Sequence, residues 1–387
     1  MGKTFLLTGA RAPVTLDLAR ALKRAGHRVI GAESLSHALS RRSNAFSAFY
    51  SVPAPNDGPD AFRKAVGKII EDEGVEVLVP TCEEVFHLAP MRGASTDRLT
   101  FWVDDPAKLG RLHSKVEFNT CALSAGLPVP FTFRATSPKE LGSALDGIGG
   151  DRVVLKPEYS RFATRTLILD RDQARNIIPS ISTGAAWCVQ EFLPGKEYCS
   201  YSLAKDGRLL AHLTYSHEFK AGKGAGICFE AVSHPAIEDW VKRFVEATGY
   251  TGQIAFDFIE DDSGTVRALE CNPRATSGLH LFAQNPEFID LLAGGEGSGR
   301  VLAPESGESA QLRLAMLVYG LPSIDSWHRL TLWGSIFSGA RETVFDSRDP
   351  IPFFDQFISF FALIRAGLRG RVTPLEASTR DIEWNGP

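Results

Sequence analysis

Asp257, Glu270, Asn272 and Arg274 are the residues of this chain whose types and spacing most plainly suit chemistry. Ala255-Phe256-Asp257-Phe258-Ile259 and Val266-Arg267-Ala268-Leu269-Glu270 are two apolar runs joined by the turn-rich Glu260-Asp261-Asp262-Ser263-Gly264. That pattern predicts a hairpin. Side chains alternate along a strand, so Glu270 and Asn272 share one face of the returning strand. Two carboxylates and an amide oxygen converging from adjacent strands suit Mg²⁺, which takes oxygen ligands and leaves part of its shell to substrate phosphates. Arg274 follows two residues later and offers a planar fork to a phosphate. Taken alone, the same residues also fit a surface hairpin with ordinary charges, so the rest of the chain must decide.

Four further features belong with this group. Lys156-Pro157 ends an apolar run, Arg152 to Lys156, and places an ammonium at the exit of a buried strand. Lys115 lies on a helix before it. Gln190-Glu191-Phe192-Leu193-Pro194-Gly195-Lys196-Glu197 offers a strand, a turn and two acids. Lys220-Ala221-Gly222-Lys223-Gly224-Ala225-Gly226 is a glycine-rich loop whose backbone N–H groups can approach an anion closely. Each has a plain alternative: a strand-end lysine that snorkels, acids at a strand end, a surface loop. The set carries more than its members.

The elements that must position these residues fall into three textures. Thr4 to Leu7 reads as a strand broken by Gly9. Val14 to Ala25 carries apolar residues at helical spacing behind Pro13, and Arg28 to Gly31 and Val75 to Val79 are further strands. Alternating strands and helices imply a parallel sheet covered on both faces, a Rossmann-like βαβ domain over 1–105. Its first turn, Gly9-Ala10-Arg11-Ala12-Pro13-Val14, has one glycine where a dinucleotide fingerprint has three, and Glu33 at the right distance for a ribose is a weak substitute. From 106 to 300 the pattern is α+β. A helix is expected over Leu109 to Ala125, strands over Arg152 to Lys156 and Trp187 to Phe192, a hairpin through Lys205-Asp206-Gly207-Arg208, and a helix over Ala236 to Thr248. Beyond 301 the chain is aromatic and mostly helical in pattern. Phe353 to Arg369 reads as a helix packed on the protein's own core, with a membrane-surface helix as the alternative because of Arg365, Arg369 and Arg371.

The order and type of these residues resemble an ATP-grasp enzyme over about Leu109 to Leu292, and the opening βαβ unit is similar to the domain that precedes ATP-grasp cores. Glu270-Cys271-Asn272-Pro273-Arg274 matches the Glu-x-Asn-x-Arg of the metal-binding strand in carbamoyl-phosphate synthetase and its relatives. The resemblance implies a two-part core, 106–195 and 196–300, and a role for each residue. Lys115 and Lys156 would contact the ATP phosphates. Glu191, Phe192 and Leu193 would form the strand that reads the adenine edge, and Glu197 would accept the ribose hydroxyls. Asp257, Glu270 and Asn272 would hold Mg²⁺, with Mn²⁺ as a substitute, and Arg274 would steady the transferred phosphoryl group. The loop from Lys220 to Gly226 would cover the triphosphate or the substrate. The implied reaction joins a small-molecule carboxylate, an amino acid or peptide-like compound, to an amine through an acyl phosphate. A noncatalytic ATP-binding module and a carboxylase- or kinase-type phosphoryl transfer are the alternatives. Cys271 stands where many relatives have an apolar residue, and there is no duplicated core.

Composition narrows the rest. The 387 residues are 44% hydrophobic and 23% charged, values of an ordinary soluble protein. A net charge of −4 supplies no dominant basic surface for nucleic acid. Six scattered cysteines without a Cys-x-x-Cys pair fit reduced thiols in the cytoplasm. No apolar run has the length expected of a membrane span. Assembly as a homodimer is compatible with all of this.

Overall fold

The computed structural model describes residues 2–93, 99–159, 165–177, 186–222 and 224–386. Five parallel strands form the first sheet, in the spatial order Ala48–Ser51, Arg28–Glu33, Thr4–Thr8, Val77–Val79, Thr100–Phe101. Phe5, Leu6, Leu7 and Val77 to Val79 are fully buried, as strands covered on both faces must be. Strand order reverses between Thr4–Thr8 and Val77–Val79, so a crevice opens beyond their carboxyl ends. The acid that a dinucleotide would need is already spent. Glu33 accepts hydrogen bonds from the backbone N–H groups of Arg11, Ser34 and Leu35 and pairs with the Arg11 guanidinium at 2.5 Å.

Two sheets follow. A four-stranded antiparallel sheet runs Thr132–Ala135, Trp187–Glu191, Arg152–Pro157, Leu167–Asp170, with the helices Pro138–Gly147 and Arg171–Ile177 attached. A seven-stranded sheet runs Val266–Asn272, Gly252–Glu260, Lys196–Lys205, Arg208–Ser216, Cys228–Val232, Ser309–Gln311, Arg341–Glu342. The hairpin through Asp206-Gly207 is made by two residues of positive φ, 50° and 76°, the pair that a tight turn matched to strand twist requires. The helix Pro235–Thr248 covers one face of this sheet. Its Trp240 and Phe244 pack on Phe118, Phe256 and Phe258.

Local chemistry corrects two sequence expectations. The continuous helix over Leu109 to Ala125 is two helices, Pro106–His113 and Lys115–Ser124, because Ser114 leaves the helical conformation and its hydroxyl accepts the Glu117 N–H. The helix Ile351–Gly370 does not bury its apolar residues. Only Pro352, Asp355 and Gly367 are buried, while Phe361 is 66% exposed. Among the described residues this helix also has the length and apolarity of a membrane crossing, which qualifies the expectation that no stretch does. It is held flat on the first domain by an ion pair between Asp355 and Arg42 and by Ser359 donating to the His37 carbonyl.

The region after 301 is mostly helical but supplies two strands to the large sheet. Ser309–Gln311 pairs antiparallel with Cys228–Val232, and Arg341–Glu342 pairs parallel with Ser309–Gln311. Buried Gln311 donates to the carbonyls of Phe337 and Ala340, which ties the helix Trp327–Gly339 to that edge.

Candidate active site

Asp257 and Glu270 stand directly opposite each other across the hairpin, and Ala255 stands opposite Asn272. All three candidate ligands therefore share one face. A bulge keeps them there. Asp257 pairs with Glu270 but Phe258 pairs with Ala268, so Leu269 is the extra residue. Without it the alternation would put Ala268 and Cys271 on opposite faces. With it, Val266, Ala268 and Cys271 all join Phe256 and Phe258 in the core, while Glu270 and Asn272 face the other way. The freed Leu269 carbonyl lies 3.4 Å from both Lys156 Nζ and Gln190 Nε2, which are on the four-stranded sheet. The two sheets meet at this carbonyl.

Glu270 is the hub. Its Oε2 lies 3.7 Å from Lys115 Nζ and 4.0 Å from Lys156 Nζ, and both lysines are buried. Burial alone would raise the Glu270 carboxyl, but Lys115 and Lys156 outweigh it and lower it to about 2. Its side chain is 29% exposed. Asp257 goes the other way. Burial and the neighbouring Glu270 push its carboxyl up to about 7, although Cys199 Sγ donates to it at 3.2 Å. Burial lowers Lys115, with Glu270 opposing. Two facing carboxylates with an amide oxygen beside them form a donor set that a divalent ion would relieve of its like-charge conflict. Among the described residues no group of three His, Cys, Asp or Glu side chains offers another metal site.

Arg274 NH2 donates to Asn272 Oδ1 at 3.1 Å and lies 3.6 Å from Glu83 Oε1, while its buried Nε has no hydrogen-bond partner in the protein. Arg274 thus sits beside the ligand set with one donor uncommitted.

The other sequence candidates are placed less compactly. The Glu191 carboxylate accepts the Phe131 N–H at 3.1 Å, so its side chain closes the strand edge; the residue ends the strand, and Phe192 and Leu193 follow as linker. The Phe192 ring carries the Arg152 guanidinium at 4.1 Å. Glu197 is exposed and pairs with Lys220 at 2.5 Å. Lys220–Ala221 pairs with Ala225–Gly226 as a small hairpin through Gly222, with φ +64°; Lys223 lies outside the described residues. His280 is buried against Asp17 at 2.8 Å, which Arg341 also binds.

Two neighbours of the site, His113 and Glu158, gave no sequence signal. His113 ends the helix before Ser114 and is lowered to about 3 by burial, with Lys115 and Arg274 adding to the effect. Buried Glu158 accepts from Ser114 Oγ at 2.5 Å and pairs with Arg134 at 2.9 Å, while its backbone carbonyl lies 3.4 Å from Lys115 Nζ. Trp384, far along the chain, stacks on Phe86 at 5.1 Å, meets Tyr159 edge-on at 5.5 Å and lies 6.0 Å from His113. A Lys-Pro-Glu run is too common a string to flag such contacts, whereas the ending Asp381-Ile382-Glu383-Trp384 reads in the sequence as a cap on the acceptor pocket or as a packed tail.

No protein-family model matches the chain, and no curated protein matches it in sequence. Solved structures do match in fold. N5-carboxyaminoimidazole synthetase from Staphylococcus aureus, complexed with ADP, superposes with a TM-score of 0.64 at 12% identity over 83% of this chain and 86% of that one. L-amino acid ligase from Bacillus licheniformis gives 0.57 at 14% identity over 75% and 74%. The biotin carboxylase domain dimer of Hydrogenobacter thermophilus 2-oxoglutarate carboxylase, in complex with the magnesium salt of ADP, ADP and bicarbonate, gives 0.59 at 16% identity over 78% and 72%. The chain has the ATP-grasp fold.

Proposed function

We propose that this protein is an ATP-dependent ligase that joins a small-molecule carboxylate, an amino acid or peptide-like compound, to an amine and releases ADP and phosphate. The observation that carries this reading is Glu270 held ionised between Lys115 and Lys156 and facing Asp257. Buried cations and anions in one cleft suit a triphosphate with its counter-ion, because phosphoryl transfer asks a protein for positioning and charge neutralisation.

In this reading Asp257, Glu270 and Asn272 hold Mg²⁺, which when bound neutralises phosphate charge and aligns the γ-phosphate. Lys115 and Lys156 neutralise the remaining phosphate oxygens from the opposite wall. The linker from Glu191 through Phe192 and Leu193 lies along the adenine by its backbone, and Glu197 leaves Lys220 to accept the ribose hydroxyls. Arg274 steadies the phosphoryl group in transfer and lowers the cost of the charge that develops there. The substrate carboxylate attacks the γ-phosphate, ADP departs, and an acyl phosphate remains. The amine then attacks the acyl carbon, the C–O bond to phosphate breaks, and the amine proton is lost to solvent or base. The acyl phosphate hydrolyses if water enters, so the cleft must close, and the hairpin Lys220 to Gly226 is suited to that. Six free cysteines fit a reducing cytoplasm.

The test is product analysis with Mg²⁺-ATP and a pool of amino acids and small amines. ADP release that depends on the pool, with a new mass short of its parents by one water, supports the ligase. AMP and pyrophosphate would replace it with an adenylating mechanism, and a stable phosphorylated product would point to a kinase.

A further inference from the structure

The helix Ile351–Gly370 is amphipathic in the inverse sense of a globular-protein helix. Its protein-facing side is small or polar: Pro352, Asp355, Ser359 and Gly367. Its outward side is apolar, with Phe354 60%, Ile358 48%, Phe361 66% and Leu368 77% exposed, at successive spacings of four, three and seven residues. Exposure of so much contiguous apolar surface marks a contact with something else. Charge says with what. Arg365, Arg369 and Arg371 are all exposed at the carboxyl end of this face. The helix has a single acid, Asp355, which is buried and bound to Arg42. A second copy docking helix on helix would bring arginines against a helix face with no free carboxylate. A bilayer bearing anionic headgroups supplies both halves: acyl-chain surface for the phenylalanines and phosphate for the arginines.

We propose that this face is a membrane-docking surface for anionic lipid bilayers, with the helix lying in the plane of the interface and not crossing it. Two observations favour lying over crossing: the Asp355–Arg42 ion pair and the Ser359 bond to His37 hold the amino-terminal half of the helix against the first domain. The inference is independent of the proposed reaction.

The test is co-sedimentation of the full chain with phosphatidylcholine vesicles, with and without phosphatidylglycerol, alongside light scattering of the protein alone. Binding to the anionic vesicles only is expected. Replacing Arg365, Arg369 and Arg371 together by Gln should weaken it by about two orders of magnitude. The double variant Phe354→Ser, Phe361→Ser should abolish it while the thermal melting transition stays in place, since both rings are exposed in the folded protein. A dimer that the double variant dissociates, with no vesicle binding, would overturn the proposal in favour of a second copy. A monomer that ignores both vesicles, or equal binding to both that survives loss of the arginines, would overturn it as well.

Discussion

Glu270 answers to three neighbours at once, and its replacement separates their effects. Glu270→Gln keeps volume but removes the charge that Lys115 and Lys156 share at 3.7 and 4.0 Å. Turnover should fall at least about a hundredfold, the usual cost of losing one electrostatic group aimed at developing charge. Two buried ammonium groups also lose their counter-charge, so the melting temperature should fall, by about 1–3 kcal/mol of stability. The decisive measurement is thermal protection by Mg²⁺-ADP: wild-type protein should gain stability with ligand and the variant should gain little. A variant protected as well as wild type would remove Glu270 from the site. Lys156→Ala belongs to the same scale and should weaken nucleotide protection, with the Nζ contacts to the Leu269 carbonyl and to Glu270 lost as well. The residue types of this site were legible in the sequence because Glu270, Asn272 and Arg274 fall within five residues. The Asp257–Glu270 pairing was legible only as a shared hairpin, since register depends on the bulge.

At the scale of elements, the bulge and a capped break do the positioning. Leu269 is apolar like its neighbours and nothing in the run Val266 to Glu270 announces that it will be skipped. The core decides: Val266, Ala268 and Cys271 reach one buried face only if one residue is left over. Ser114 is similar. A serine in a stretch of helical spacing reads as helix interior, yet its hydroxyl caps the following helix and donates to Glu158. This break sets Lys115 at the first turn, with Nζ near Glu270. Ser114→Ala should therefore cost about 1 kcal/mol through the lost cap, plus the loss of one partner of buried Glu158. A melting curve checks the first effect. Weaker Mg²⁺-ADP protection than the stability loss explains would show that Lys115 has moved. The strands themselves were readable from two-residue alternation and turn residues. The helix Ile351–Gly370 was readable as a helix, but its outward-facing apolar side was not, because its orientation depends on Arg42, which lies more than 300 residues away in sequence.

For the whole molecule, two buried histidines shape the response to acid and the terminal segment ties the first domain to the core. His113 and His212 are each lowered from 6.5 to about 3 by burial, so the unfolded chain binds more protons than the folded one between those values. Their contribution is complete above about pH 6.5 and is lost as pH falls towards 3. Each histidine should account for up to about 2 kcal/mol by about pH 5, and the His113→Gln, His212→Gln pair should flatten the acid limb of a stability-against-pH curve. The terminal segment acts across a seam. Asp381 pairs with Arg11 at 2.5 Å and accepts from Ser34 Oγ at 2.7 Å, while Ile382 is buried. Trp384 then inserts between Phe86 of the first domain and His113 and Tyr159 of the core, and would collide with any side chain at Gly110. The segment thus holds the first domain against the helices that carry His113 and Lys115. Trp384→Ala removes a half-buried indole and should cost about 2–3 kcal/mol, less than a fully enclosed aromatic. If the tryptophan only fills space, turnover should recover once temperature is lowered enough to restore folding. If it sets the angle between domain and core, turnover at full folding should remain below wild type while Mg²⁺-ADP protection is unchanged. Activity measured well below the variant's melting point distinguishes the two, and the second outcome is expected because His113, beside Trp384, lies within electrostatic reach of both Lys115 and Arg274.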